Sequence, residues 1–358
     1  MHNKAFRSAC YAPFVNLDFS PNGEVLVCCV NTRYVVGRVP DQTISEIWSA
    51  EPIQLLRQAL KQYDFSLDCE RCRWQVELGN LNGVFARRDD RFRVTEEWPK
   101  GPQRMDFRLS NICNYACVMC NGDYSSVLRA QEGRRPFPKV YGDPFFNQLR
   151  DFIPNLKFAM FGGGEPFLIP EHHKVWDLFI ESGPHIKCTI NTNASILNDT
   201  VWHYLENIHF ENIGVSFDGA TAHTFEAVRQ KASFEQVYSN LKQIKAHANK
   251  KRRKVHLAVC VTRQNWMEFP DIVRLGEDLG CPINVNLVHH PPDCSLYELP
   301  ADQIQEVHTY LDLHFKRLQN RISQESAAHY GLLLESLQGA STQNSHRPFF
   351  YKPIAEKQ

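Results

Sequence analysis

Three cysteines, Cys113, Cys117 and Cys120, stand as C-x3-C-x2-C within NICNYACVMCN, directly after the strand-like segment RMDFRLS. Thiolates this close together can hold three irons of a four-iron cluster, and with no fourth cysteine beside them one iron keeps an open position. An open iron does chemistry, whereas a fully ligated cluster mostly carries electrons. The competing reading is structural zinc, which prefers four closed ligands in paired C-x2-4-C groups. No histidine follows the triplet until His172, so the run fits zinc poorly.

A second set lies nearer the N-terminus. Cys10 and Cys28 form C-x17-C, with four residues between Gly23 and Cys28, and Cys69 and Cys72 form C-x2-C. Four thiolates would close a [4Fe–4S] cluster and leave no iron for substrate, so electron transfer is the natural role. A four-cysteine zinc ribbon is the alternative. Of the 12 cysteines, Cys29, Cys188, Cys260, Cys281 and Cys294 remain; mostly apolar surroundings make inert, buried thiols the default for them.

The elements that must position these sulfurs read as follows. VNLDFSPNGEVLVCCV reads as a β-hairpin around Pro-Asn-Gly, with Val15, Leu17 and Phe19 alternating before the turn. DQTISEIWSAEPIQLLRQALKQ reads as one helix capped by Ser45, with Ile47, Leu55, Leu56 and Leu60 on its apolar face. Folding hairpin, helix and CERC turn together brings Cys10, Cys28, Cys69 and Cys72 within reach of one another. EEWPKGPQ at 96–103 is a punctuation segment and the expected boundary. Beyond it, short apolar strands alternate with amphipathic helices, the pattern of βα units on a parallel sheet. The strands expected are 104–109, 156–161, 186–191, 212–217, 255–261 and 284–288. From Pro300 a long helix leads to a polar tail, flexible in part from Gly339, whose RPFFY segment could dock on the core. His172 and His173 open a helix, and Lys250 to Lys254 read as a solvated helix end.

With 358 residues the chain can bury a core without disulfide support, and 40 basic against 40 acidic residues give no global pull toward nucleic acid or anionic membrane. The N-terminus lacks the apolar region of a secretory signal, and no apolar run is long enough to span a bilayer. A cytoplasmic protein with no membrane or nucleic-acid partner is expected.

The cysteine triplet, read with FGGGEPF at 161–167, resembles the radical S-adenosylmethionine (SAM) superfamily. The resemblance implies an α/β fold: a partial (β/α)6 barrel over 99–299, a helical extension over 300–358, and an N-terminal α+β auxiliary-cluster domain over 1–98 that is similar to the Twitch/SPASM module. In most members that module follows the barrel; here it precedes it. The module's G-x4-C spacing favours Cys28 over Cys29 as the ligand. The resemblance further implies that Gly163, Gly164 and Glu165 bind the methionyl ammonium of SAM, and that Met119, where an aromatic residue is usual, lies against its adenine. NTNAS at 191–195 and VSFDGA at 215–220 make Asn193, Ser216 and Asp218 candidates for SAM ribose or substrate, and Arg229 a candidate for the SAM carboxylate. For the last four, plain turn residues or an exposed salt bridge are the structural alternatives. VNLVHHPPDCSLYEL places His289, His290 and Cys294 where they could touch substrate, with Cys294 able to return a hydrogen atom, or it is a strand-ending turn.

The implied cofactors are a SAM-binding [4Fe–4S] cluster, SAM and an auxiliary [4Fe–4S] cluster, reduced by flavodoxin or ferredoxin. The implied activity is reductive cleavage of SAM to a 5′-deoxyadenosyl radical that takes a hydrogen atom from a small molecule or peptide. An auxiliary cluster that removes electrons favours oxidation or crosslinking. Thiol return would instead make an epimerase, and a non-catalytic iron–sulfur or zinc redox sensor or scaffold is the reading outside enzymology. No leader-peptide-binding domain or cobalamin domain is visible, so cobalamin-dependent methylation is not expected.

Overall fold

The computed structural model describes residues 4–77 and 84–342. One nine-stranded sheet runs through it in the order β3-β2-β1-β4-β5-β6-β7-β8-β9. The strands β4 (Arg104–Phe107), β5 (Phe158–Phe161), β6 (Lys187–Thr192), β7 (Phe210–Ser216), β8 (Lys254–Val261) and β9 (Ile283–Leu287) are consecutive and parallel. These are the six expected strands, each within about two residues of its expected ends. Helices follow each of them in turn, as βα units require.

The N-terminal strands belong to the same sheet. β1 (Asn16–Phe19), β2 (Glu24–Leu26) and β3 (Gly37–Arg38) form the expected antiparallel hairpin plus one strand. β1 then pairs in parallel with β4, Asn16 opposite Arg104 through Phe19 opposite Phe107. The expected boundary at 98/99 is therefore no break in the sheet. Gly23 closes the hairpin at φ +85°, where a Cβ would lie 2.2 Å from the Val39 carbonyl oxygen. Only glycine fits there.

Along these strands the side chains alternate strictly between two faces. Leu17, Phe19, Met105, Phe107, Phe161, Ile190, Val215, Leu257 and Val259 enter the main apolar core. The alternate positions are mostly polar, Asn16, Asp18, Arg104, Asp106, Thr189, Asn191, Asn212, His256, Asn284 and Asn286, with Phe158, Met160 and Ala258 as apolar exceptions. A barrel filled only by its own side chains uses bulky branched residues on that face. Here Asn191 and Asn286 are solvent-exposed although both lie within strands, so the inner face opens to water.

The helix expected over 41–62 is two helices, α2 (Ile44–Ser49) and α3 (Glu51–Lys61). Thr43, not Ser45, caps the first, in a reciprocal capping box with Glu46. Ala50 is extended at ψ 153° and Pro52 opens the second helix, which turns Leu55 outward to 46% exposure. After α12 (Ala301–Leu318) the chain forms α13 (Gln324–Thr342) rather than a tail, and Gly339 lies inside it. RPFFY falls outside the described residues. α13 covers the edge of β9: Ile283 N donates to Ser326 Oγ at 3.0 Å and Val285 N to His329 Nδ1 at 3.4 Å. An otherwise open strand edge is thus satisfied.

His172 and His173 lie in the first turn of the helix Pro170–Ser182 and pack on Trp176, as a structural role requires. Burial pushes His172 down to about 3, so it stays neutral. Lys251 and Arg252 are exposed just past the helix Phe234–Lys250.

Candidate functional site

The cysteine triplet sits on the loop that leaves β4, and that loop is tied to itself. Asn111 Nδ2 donates to the Gly122 carbonyl at 2.8 Å, Ser125 Oγ to that of Tyr115 at 2.7 Å, and Ser126 N to that of Asn111 at 2.8 Å. Its middle is zipped to the segment after the helix Ala222–Val228: Ala116 N donates to the Gln230 carbonyl at 3.1 Å and Val118 N to that of Val228 at 3.0 Å. Cys117 is buried, and Cys113 and Cys120 are half-buried. Burial pushes the Cys113 thiol up to about 11 and that of Cys120 to about 12, and raises Cys117 as well. These thiols must lose their protons to bind metal.

Arg229 is buried beside this loop, not on an exposed bridge. Its Nη1 donates to Cys117 Sγ at 3.7 Å and its Nη2 pairs with Asp218 Oδ2 at 2.6 Å. Asp218 Oδ1 also accepts from Cys260 N at 2.7 Å. Asp218 is thus committed to protein groups and positions Arg229, whose Nε has no hydrogen-bond partner among the described residues. Ser216 is half-buried at the end of β7, and Met119 is half-buried between two ligand-loop backbone contacts.

Glu165 follows β5 and is 1% exposed. Its Oε1 accepts from Thr192 Oγ1 at 2.6 Å and Phe167 N at 3.3 Å, and its Oε2 from Asn193 N at 2.6 Å. Burial outweighs these three donors and pushes the carboxyl up to about 7. Asn193 in turn donates from Nδ2 to Oδ1 of Asn114, the residue after Cys113, at 2.9 Å, and Asn114 Nδ2 donates to Ser195 Oγ at 3.0 Å. Thr192 and Asn114 were not singled out from sequence; NTN and CNY carry no signal beyond ordinary turn composition. The two glycines ahead of Glu165 serve the loop's own packing. A Cβ on Gly163 would lie 2.8 Å from the Ser110 carbonyl oxygen, and one on Gly164 would lie 2.0 Å from that of Ile112. They let the GGGEP turn close on the cysteine loop, where Glu165 N donates to the Ile112 carbonyl at 2.8 Å.

Cys294 is buried and its thiol donates to the Pro291 carbonyl at 3.3 Å. His289 stacks on Tyr297 with centroids 4.5 Å apart. Cys260, expected to be inert in the core, is half-buried on the inner face at the end of β8, its amide held by Asp218.

The second cysteine set converges. Cys10, Cys28, Cys69 and Cys72 line one cavity of about 420 Å³, counting the solvent space at its mouth, with Val27, Phe65 and Ala86 among its apolar walls. Cys29 is not on that lining; its Sγ receives Arg88 Nη1 at 3.5 Å. Behind Arg88, strand β4 and its neighbours bury three acids and two arginines. Arg104 pairs with Asp106 at 2.7 Å and Asp89 at 3.2 Å, and Arg108 with Asp18 at 2.8 Å. The alternation R-x-D-x-R at 104–108 is the one local pattern from which this block could have been found. Among the described residues no three His, Cys, Asp or Glu groups close on a point as a single metal ion requires. A four-iron cube takes its thiolates at separate corners and needs no such convergence.

Residues 107–276 match the sequence profile of the radical SAM superfamily, and residues 10–73 match that of SPASM, an iron–sulfur cluster-binding domain. The chain carries a radical SAM region and a SPASM region. The cofactors that go with the two matches are a [4Fe–4S] cluster with SAM and auxiliary iron–sulfur chemistry. Both sulfur sets fit them: three thiols on one loop beside a buried guanidinium, and four around one apolar-walled cavity. Mycofactocin maturase MftC of Mycobacterium tuberculosis is 25% identical over 201 residues, 54% of this chain and 47% of the relative. An AdoMet-dependent heme synthase of Methanosarcina barkeri is 22% identical over 180 residues, 50% of this chain and 48% of the relative. The chain thus spans about half the length of the curated relatives it matches. Among solved structures, Streptococcus suis SuiB bound to precursor peptide SuiA superposes with a TM-score of 0.46 at 12% identity, covering 76% of this chain and 64% of that one. No described helix is long and apolar enough to cross a membrane.

Proposed function

We propose that this radical SAM protein is an enzyme that oxidises or crosslinks a small molecule or peptide, with Cys113, Cys117 and Cys120 holding the SAM-binding cluster and Cys10, Cys28, Cys69 and Cys72 an auxiliary one. The observation that carries this reading is the single cavity shared by the four N-terminal cysteines, set on the same sheet as the cysteine loop. When bound, the first cluster and SAM supply one-electron cleavage and hydrogen abstraction, and the second supplies an electron acceptor. The chain's own part is positional. Arg229 supports Cys117, Glu165 offers a buried carboxyl to the SAM ammonium, and the polar inner face supplies amide and hydroxyl partners for a polar substrate. That polar lining suits a polar substrate, a peptide among them. Cys28 takes the fourth auxiliary position because it lines the cavity and Cys29 does not.

One observation favours thiol return instead: Cys260 lies on the inner face, in the Asp218–Arg229–Cys117 chain of contacts, where Cys294 does not. A single experiment separates the readings. Anaerobic reconstitution gives about eight irons per chain if both clusters are four-iron, and reduction with SAM releases 5′-deoxyadenosine. Turnover of candidate peptides in deuterated buffer then gives a two-hydrogen mass loss for oxidation, or solvent deuterium at carbon for thiol return. Zinc without iron, or iron without SAM cleavage, would sink the enzyme reading.

A further inference from the structure

The two halves of the auxiliary sulfur set are joined inside their cavity by a side chain that is not a cysteine. Asn31 follows Cys28 by three residues, and its backbone pairs back to Cys28 in an isolated antiparallel bridge. Its side chain crosses to the other half. Asn31 Nδ2 donates to the Leu67 carbonyl at 2.9 Å and to Cys69 Sγ at 3.4 Å. A carbonyl oxygen only accepts, so the nitrogen of this amide must face Leu67, and its second hydrogen is left for the sulfur. Asn31 is 2% exposed and lines the cavity of the four cysteines. The same two segments are tied again at the surface, where Arg33 N donates to Asp68 Oδ2 at 2.7 Å and Arg33 Nε pairs with Asp68 Oδ1 at 2.5 Å.

Hydrogen bonds to the sulfurs are among the levers that set an iron–sulfur potential. Reduction adds one electron to the cluster and leaves more negative charge on its thiolates. An N–H aimed at such a sulfur therefore bonds the reduced state more strongly than the oxidised one, and the potential moves positive. Burial strengthens the bond and keeps water from replacing it. Cys10 Sγ receives a comparable bond from Ala12 N at 3.4 Å, but a backbone amide is beyond the reach of most substitutions. The bond from Asn31 can be deleted with one side chain.

We propose that Asn31 is a positioning residue that, through Cys69, raises the reduction potential of the auxiliary cluster and so makes it the better electron acceptor. This inference rests on the two-cluster reading above.

The test uses the full chain with Cys113, Cys117 and Cys120 all changed to Ala, so that only the auxiliary cluster remains. Iron content of about four per chain in that background checks the underlying reading, and its absence would sink both. With iron present, a failure below sinks this proposal alone. An EPR-monitored redox titration compares Asn31→Leu, Asn31→Ala and Asn31→His with Arg33→Gln, which breaks the surface ion pair between the same two segments and touches no sulfur. Asn31→Leu is expected to move the midpoint negative by up to about 59 mV, a tenfold change in a one-electron equilibrium. Asn31→Ala moves it the same way and decides the matter should the larger side chain displace the cluster. Asn31→His, whose ring N–H stands at a similar reach from the backbone, restores most of the shift, and Arg33→Gln leaves the midpoint in place. A midpoint unchanged or more positive without the amide, or an equal shift from Arg33→Gln, would overturn the proposal. So would loss of iron from both Asn31→Leu and Asn31→Ala, which assigns Asn31 to cluster assembly instead.

Discussion

At the scale of single residues, the site depends on one carboxyl held close to neutrality. Glu165 is buried, and burial pushes it up to about 7. Its ionised form alone can pair with a cationic ligand, so SAM affinity is expected to fall about tenfold per pH unit below that value and to level off above it. In the empty protein the sign is reversed. The folded value lies above the unfolded one, so stability is fully present below the ordinary carboxylate range and declines as pH rises through about 7. Equilibrium dialysis of SAM against reconstituted protein checks the first statement. Glu165→Gln should bind about ten- to a hundredfold more weakly, as loss of a charged hydrogen bond requires, and without the pH dependence. An unchanged pH profile in Glu165→Gln would show that another group titrates.

At the scale of elements, α13 shows what a sequence conceals. Its buried positions, Ser326, Tyr330, Leu333, Leu334, Leu337 and Ala340, keep helical spacing. Gly331 and Gly339 interrupt that pattern to the eye, yet each has open space where a Cβ would stand, so neither marks a turn. The helix forms because β9 needs a cover. Ser326→Ala leaves the Ile283 amide unpaired and removes one of the hydrogen bonds to Glu277, which Ser323 still holds. A cost of about 1–3 kcal/mol is expected by denaturant unfolding, and a neutral result would mean that water reaches the β9 edge. The six barrel strands were legible for the opposite reason. Each is short, apolar on one face and followed by an amphipathic helix, so local pattern and tertiary role agree. The helix break at Ala50 was marked by Pro52, whereas the choice of Thr43 as cap depended on Glu46 lying three residues on. The cysteine sets were legible from spacing alone. The partners that hold Glu165 and Arg229 come from four separate strand ends, and no local pattern announces such a meeting.

At the scale of the whole molecule, the N-terminal region and the barrel share one hydrogen-bonded sheet, with β1 lying against β4. Removing residues 1–98 would expose the β4 edge and strip Arg104 of Asp89, Arg108 of Asp18 and Asp106 of Arg88. Buried charges that lose their partners are costly, about 3–5 kcal/mol each. Residues 99–358 expressed alone should therefore aggregate, which size-exclusion chromatography would detect, and a folded monomer would show that the barrel is self-sufficient. The same ladder has a kinetic meaning. The hairpin that ends at Cys28 and the loop that carries Cys113 spring from adjacent strands in fixed register, so no hinge separates them. The gap between the two sulfur nests is thus set by the ladder at folding, and no swing of one half of the protein away from the other can widen it.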